Sequence, residues 1–271
     1  MSPGRPTSFS GAPLFGESSS NPVVLFVATR WELAALRRAM PVERRIKLDG
    51  VSCFTGRRAG RVYWLVATGI GPEAANKVAS TVLDRQETAL AVSTGFAGAL
   101  APEAGVGDVV VATSVMSGTF DGGWQGSARL DCDDNLLRGP QVASASIGVA
   151  VKRGVMVSLP TVLGRAADKQ HLGRVTGAIA VDMESAAIGL VAKRHDVPFV
   201  VVRAISDVAG ENLPLDFNVF LKPWGWLRAI GDVIRAPSSV VGLNRLRRQS
   251  RLAADRLAVL YDAWAADEFG L

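Results

Sequence analysis

Histidine and cysteine are scarce in this chain, with two of each in 271 residues. His171 and His195 leave little from which to build a zinc site or a histidine-based nucleophile triad, and His195, near a helix end, reads as a favourable C-terminal group. Cys53 and Cys132 are too few for a disulfide framework and read as small buried hydrophobes. No apolar run reaches the roughly 20 residues that span a bilayer. Residues 1–21 are rich in Ser, Gly and Pro and lack the apolar core of a signal peptide, so they read as a disordered tail. With 48% hydrophobic residues, the remainder is enough for one large α/β domain of a soluble, cytoplasmic enzyme.

What is present concentrates between Ala178 and Gly210. Ala178 to Val181 is a short apolar run that reads as a strand, and Met183, Ala186, Ala187, Leu190 and Val191 then recur with helical spacing. Glu184 therefore falls in the first turn of a helix just beyond a strand. Lys193 and Arg194 occupy its last turn, Pro198 stops it, and Phe199 to Ile205 form a second strand, apolar except for Arg203. Asp207 follows at the carboxyl end of that strand, where open α/β sheets bind their ligands. Taken singly, each acid has a structural reading: an acid in a first helical turn complements the helix dipole, and an Asp after Ser forms caps and turns. Arg203, in an apolar strand, calls for a carboxylate partner that the sequence does not identify.

In the order VDMES then VVVRAISD, separated by one helix, the two acids are more specific. This pattern resembles the nucleoside phosphorylase and nucleosidase superfamily, and within it the enzymes that cleave adenine from 5′-modified adenosines, such as methylthioadenosine/S-adenosylhomocysteine nucleosidase. The resemblance runs from about Pro22 to about Phe220 and includes ATRWELAAL around Glu32, TGIGPEAA from Thr68 and STGFAGALAPEAGVGDVVVAT from Ser93. It implies a three-layer αβα sandwich with a central mixed β-sheet. It implies that Asp207 protonates N7 of the leaving purine, that Glu184 binds the ribose hydroxyls, with Met183 against the sugar, and that Glu32 handles the attacking water. It also places Ser206, Val162, Phe96 and Phe217 at the substrate. As an acid, Asp207 must hold a proton near neutral pH, which a poorly solvated site favours. No metal or cofactor is implied, and a homo-oligomer is. Many relatives have a small hydroxyl residue where this chain has Phe96; its absence tilts the expectation from phosphate towards water, with phosphate left open as a co-substrate.

Other motifs are weaker. Gly69, Gly71 and Ala74 fit a dinucleotide-type G-x-G-x-x-A, but after the wrong strand, so a tight turn approaching a ligand is the better reading. Asp131, Asp133 and Asn135 mimic a calcium loop whose glycine position holds Leu136; a helix starting near Asp133 is favoured. Three segments result: the tail 1–21, a catalytic domain 22–235 and a helical extension 236–271. In the extension, Leu246, Ala253, Leu257, Leu260 and Trp264 form a helical stripe beside Arg245, Arg248, Arg251 and Arg256. The stripe either packs on the domain or, given a net charge of +5, touches an anionic inner-membrane surface. Nucleic acid is disfavoured, since the arginines are not interleaved with stacking aromatics. This long ending resembles that of the hopanoid-associated phosphorylase branch, which implies an apolar-tailed adenosine (adenosylhopane-like) as substrate, with Phe220, Leu221, Trp224 and Trp226 extending the apolar surface of Phe217 towards the tail. The alternatives are methylthioadenosine or S-adenosylhomocysteine, and, in another class, a non-catalytic nucleoside sensor.

Overall fold

A computed structural model describes residues 21–214, 218 and 238–271 of the chain. The expected tail, apart from residue 21, falls outside these residues, as do Phe217, Phe220, Leu221, Trp224 and Trp226. Strand β1 (Val23–Val27) is buried along its whole length. Side chains alternate across a strand, so Val23, Leu25 and Val27 enter one apolar cluster while Val24 and Phe26 enter another. A strand with two apolar faces must be covered on both sides, and β1 accordingly sits between two parallel neighbours, β4 (Arg61–Ala67) and β5 (Leu90–Ala99). Beyond β4 the sheet continues antiparallel through β3 (Val51–Arg58) and β2 (Arg44–Leu48).

The other half of the sheet curls onto itself. Strand β10 (Phe199–Asp207) pairs parallel with β5 and antiparallel with β6 (Val109–Phe120), and β6 runs parallel to β8 (Val151–Ser158). The short β9 (Ala180–Asp182) joins β8 back to β5, so these five strands close a ring, with β7 (Trp124–Asp131) attached outside to β6. Closure brings the carboxyl ends of β9 and β10 together.

Helices cover both faces. Leu33 and Leu36 of α1 (Arg30–Ala39) and Ala143 of α3 (Arg138–Ser146) pack with Leu25, Val92 and Val202, together with Leu257 and Trp264 of α6 (Ser238–Ala266). On the opposite face, Ala75, Ala79 and Val82 of α2 (Pro72–Leu83) and Ile188 and Val191 of α5 (Ser185–Arg194) pack on Val24, Phe26 and Trp64. The remaining helix, α4 (Ala166–Thr176), inserts Leu172 among Leu100, Val157 and Leu159. This is the expected α/β architecture, helices on both sides of a mixed central sheet.

Two readings resolve at the level of elements. The stripe on α6 faces inward: Ala253, Leu257, Leu260 and Trp264 are buried while Arg245, Arg248, Arg251 and Arg256 are exposed. The helix expected near Asp133 begins instead at Arg138, because the Asp133 carboxylate accepts the Asn135 N–H at 2.8 Å and forms a turn there. Among the described residues no helix is long and apolar enough to cross a membrane.

Candidate active site

Glu32 reaches the site because of how α1 starts. Thr29 is the N-cap and accepts the Glu32 N–H at 3.2 Å, while Glu32 Oε2 accepts the Thr29 N–H at 2.7 Å, a reciprocal capping box. The second carboxylate oxygen accepts the Phe96 N–H at 2.7 Å, which ties α1 to the end of β5. This close approach requires Gly95, whose φ is +139° and where a Cβ would lie 2.2 Å from Glu32 Oε1. The Phe96 backbone thus holds the acid, and its ring packs at the edge of the core.

Glu184 is the N-cap residue of α5, one position before the first turn. Gly71, at the start of α2, donates its N–H to Glu184 Oε1 at 2.8 Å. With φ +92° at Gly71, the G-x-G turn serves to aim a backbone donor at this acid. Burial pushes the Glu184 pKa up to about 7; the Asp182 and Glu32 charges act in the same direction, against the Arg203 guanidinium and the Gly71 N–H.

Arg203 finds the partner its sequence position demanded. Its Nη2 lies 2.6 Å from Asp182 Oδ2 and donates to the Ser93 and Ser185 hydroxyls at 2.8 and 3.0 Å, while Nη1 donates to the Thr94 carbonyl at 3.0 Å. Glu184 Oε2 is 3.9 Å away. Asp182 also accepts the Ser158 and Ser185 hydroxyls and the Ser185 N–H. Burial alone would lower the Arg203 pKa, but Asp182, Glu184 and Glu32 together hold it above its usual value, so the guanidinium remains a cation.

Asp207 ends β10. Its Oδ1 accepts the Ser206 hydroxyl at 3.0 Å and its Oδ2 accepts from the Lys169 ammonium at 2.9 Å. Gly98 faces it on β5, where a Cβ would come within 3.1 Å of Oδ2. Lys169 was not anticipated. Its one sequence signal is helical spacing, since it stands three positions before Leu172, the residue that anchors α4 to the core. The low polarity expected around Asp207 is therefore interrupted by a buried cation.

The acids meet around one cleft of about 210 Å³, lined by Glu32, Glu184 and Asp207. Met183, Ser206, Val162 and Phe96 line it too, so of the candidate site residues only Phe217, outside the described residues, is not placed there. The Val162 N–H and carbonyl are engaged by the Asn218 side-chain amide at 2.7 and 2.9 Å. A larger cleft of about 700 Å³ lies between α1, β3 and α2, lined by Arg30, Arg37, Arg45 and Lys77 with Asp49 as its acid. The smaller cleft is the better catalytic candidate, because buried acids converge there on apolar walls. Among the described residues no group of three or more His, Cys, Asp or Glu side chains is placed to hold a metal ion.

Solved structures share this fold. A point mutant of the Helicobacter pylori methylthioadenosine nucleosidase, with 5′-methylthioadenosine in its active site, is 20% identical with a TM-score of 0.69, covering 90% of this chain and 99% of that one. The 5′-methylthioadenosine/S-adenosylhomocysteine nucleosidase of Neisseria meningitidis, in complex with methylthio-immucillin-A, is 22% identical with a TM-score of 0.68 over 90% of this chain and 99% of its own. Futalosine hydrolase of Helicobacter pylori is 19% identical with a TM-score of 0.68, covering 89% and 97%. At these identities the likeness speaks for the fold. Residues 22–222 match the phosphorylase superfamily. The chain therefore belongs to the phosphorylase superfamily and is an enzyme of the nucleoside phosphorylase and nucleosidase kind.

Proposed function

We propose that the protein hydrolyses the N-ribosidic bond of a compact 5′-modified adenosine, methylthioadenosine or S-adenosylhomocysteine, and releases adenine. The observation that carries this is the meeting of Glu32, Glu184 and Asp207 around one small cleft in a chain of this superfamily. Cleavage builds positive charge on the sugar and negative charge on the base. Glu184 accepts the ribose hydroxyls and stabilises the electron-poor sugar, Glu32 orients and deprotonates water, and Asp207 delivers a proton to N7 of the purine. Met183 packs against the ribose, and Ser206, Val162 and Phe96 surround the base and sugar.

Water is favoured over phosphate on electrostatic grounds. The described lining of the cleft holds Glu32, Asp182 and Glu184 beside the proton-bearing Asp207, and no Lys or Arg. A phosphate dianion would enter a cleft whose lining is already net negative.

The compact substrate takes the place of the apolar-tailed nucleoside first expected. The described part of the cleft is smaller than the roughly 300–1,000 Å³ typical of sites for drug-sized ligands. The apolar side of α6, which could otherwise have met a membrane, is spent on the core. The two nucleosidase structures described above, which hold methylthioadenosine or its analogue, favour the same choice.

The test is incubation of purified protein with methylthioadenosine, adenosine, inosine and a lipid-tailed adenosine, with and without phosphate. Adenine and free methylthioribose at a phosphate-independent rate are expected, with inosine poor. A sugar 1-phosphate would show phosphorolysis, a preference for the tailed adenosine would restore the lipid reading, and no cleavage would leave a nucleoside sensor.

A further inference from the structure

Lysine is almost never fully buried unless it is paired, yet Lys169 is 0% exposed. Its ammonium donates to Asp207 Oδ2 at 2.9 Å and to the Val208 carbonyl at 2.6 Å. Packing alone does not explain the charge. Leu172 already anchors α4 in the apolar cluster with Leu100, Val157 and Leu159, and an apolar chain of Lys169's length would fill the same space without being stripped of water. Among the described residues, the one carboxylate within ion-pair reach of Lys169 is Asp207, which lines the cleft.

We propose that Lys169 is a positioning residue for proton delivery to the leaving base: its ammonium fixes the Asp207 carboxyl and balances the charge that Asp207 acquires on giving up its proton. This rests on the adenine-release reading. As the bond from the anomeric carbon to N9 breaks, its electron pair goes to the purine and the Asp207 proton passes to N7. The oxygen of water bonds to the anomeric carbon, and its proton passes to Glu32. Water is thereby divided between sugar and base, and solvent exchange returns a proton from Glu32 to Asp207. The new Asp207 carboxylate forms in a site where only 12% of its side chain meets solvent, so a fixed cation at 2.9 Å supplies the stabilisation that water otherwise would. The Ser206 hydroxyl on Oδ1 and Lys169 on Oδ2 hold the carboxyl plane from both sides.

A structural lysine and one that assists proton delivery are separated by the leaving group. Methylthioadenosine needs its purine protonated, whereas the p-nitrophenyl glycoside of 5-methylthioribose releases a stable phenolate without a proton. Lys169→Met and Lys169→Gln should lower kcat for adenine release on the order of 10²-fold with little change in KM. Their release of p-nitrophenolate should stay within about threefold of wild type. In an Asp207→Asn background, adding Lys169→Met should cost little more in adenine release, because the group that it positions is already gone. Equal losses on the two substrates, no loss on either, or failure of both variants to fold would assign Lys169 to stability and overturn the proposal. Wild-type protein that cleaves neither substrate would instead overturn the nucleosidase reading, and this role with it.

Discussion

Glu184 is the residue through which pH should act on this enzyme. Burial raises its pKa to about 7 from 4.5, and the ribose binding proposed for it needs the carboxylate form, so kcat/KM should climb with pH until about 7 and lose that limb in Glu184→Gln. An acid limb near the ordinary carboxylate value would remove Glu184 from it. Stability should run the other way. The folded protein holds this proton more tightly than the unfolded chain, so the contribution is complete below 4.5 and is lost as pH rises through about 7. Asp207→Asn keeps shape but cannot deliver a proton, and adenine release should fall by about 10²- to 10⁴-fold while the thermal transition persists. Near-normal turnover would take Asp207 out of the mechanism. Glu32→Gln should be impaired to a similar degree if water is the nucleophile. Cys53 and Cys132, whose thiols burial raises to about 11 and about 12, should be inert to alkylation in the folded state.

At the scale of elements, the acids are aimed by backbone turns rather than by their own helices. Gly95 lets Glu32 cross from α1 to the end of β5, and Gly71 turns its N–H onto Glu184 from the start of α2. Gly95→Ala places a methyl group 2.2 Å from Glu32 Oε1 in a backbone conformation that L-residues rarely adopt. It should therefore reduce stability by about 1–3 kcal/mol and turnover more steeply than substrate affinity. A variant with wild-type melting temperature and kcat would show that the contact can relax freely. Asp182 matters in the same way. It lines the cleft too, but its carboxylate is taken up by Arg203 and by the Ser185 N–H at the start of α5, which fixes Glu184 one residue before that helix.

On the scale of the whole molecule, α6 belongs to the core. Leu257, Leu260, Tyr261 and Trp264 are at most 1% exposed and pack with α1, α3 and β10. Trp264→Ala should cost about 3–5 kcal/mol by creating a cavity, and deletion of residues 238–271 should abolish the cooperative thermal transition. Full-length protein should not sediment with anionic vesicles at physiological salt, because the apolar side of the helix is already buried. A folded, active truncated chain would show instead that the helix is an appendage.

The candidate acids were legible in the sequence because their placement rides on short-range signals, while the roles proposed for them came with the family resemblance. Apolar runs and helical spacing around VDMES and VVVRAISD put Glu184 and Asp207 at the ends of a short and a long buried strand, and the resemblance of the ATRWEL block supplied Glu32. The three-layer fold followed from the resemblance to the superfamily that these blocks carry. Partnerships across the sheet were not legible, since they join residues far apart in the chain. That Arg203 pairs with Asp182, that Gly71 serves Glu184, and that Lys169 from a polar-looking helix lies buried against Asp207 depend on how the strand ring closes. The same holds for α6: its stripe announced an amphipathic helix, but only the tertiary structure chose between lipid and core, because an apolar stripe loses water equally well against either.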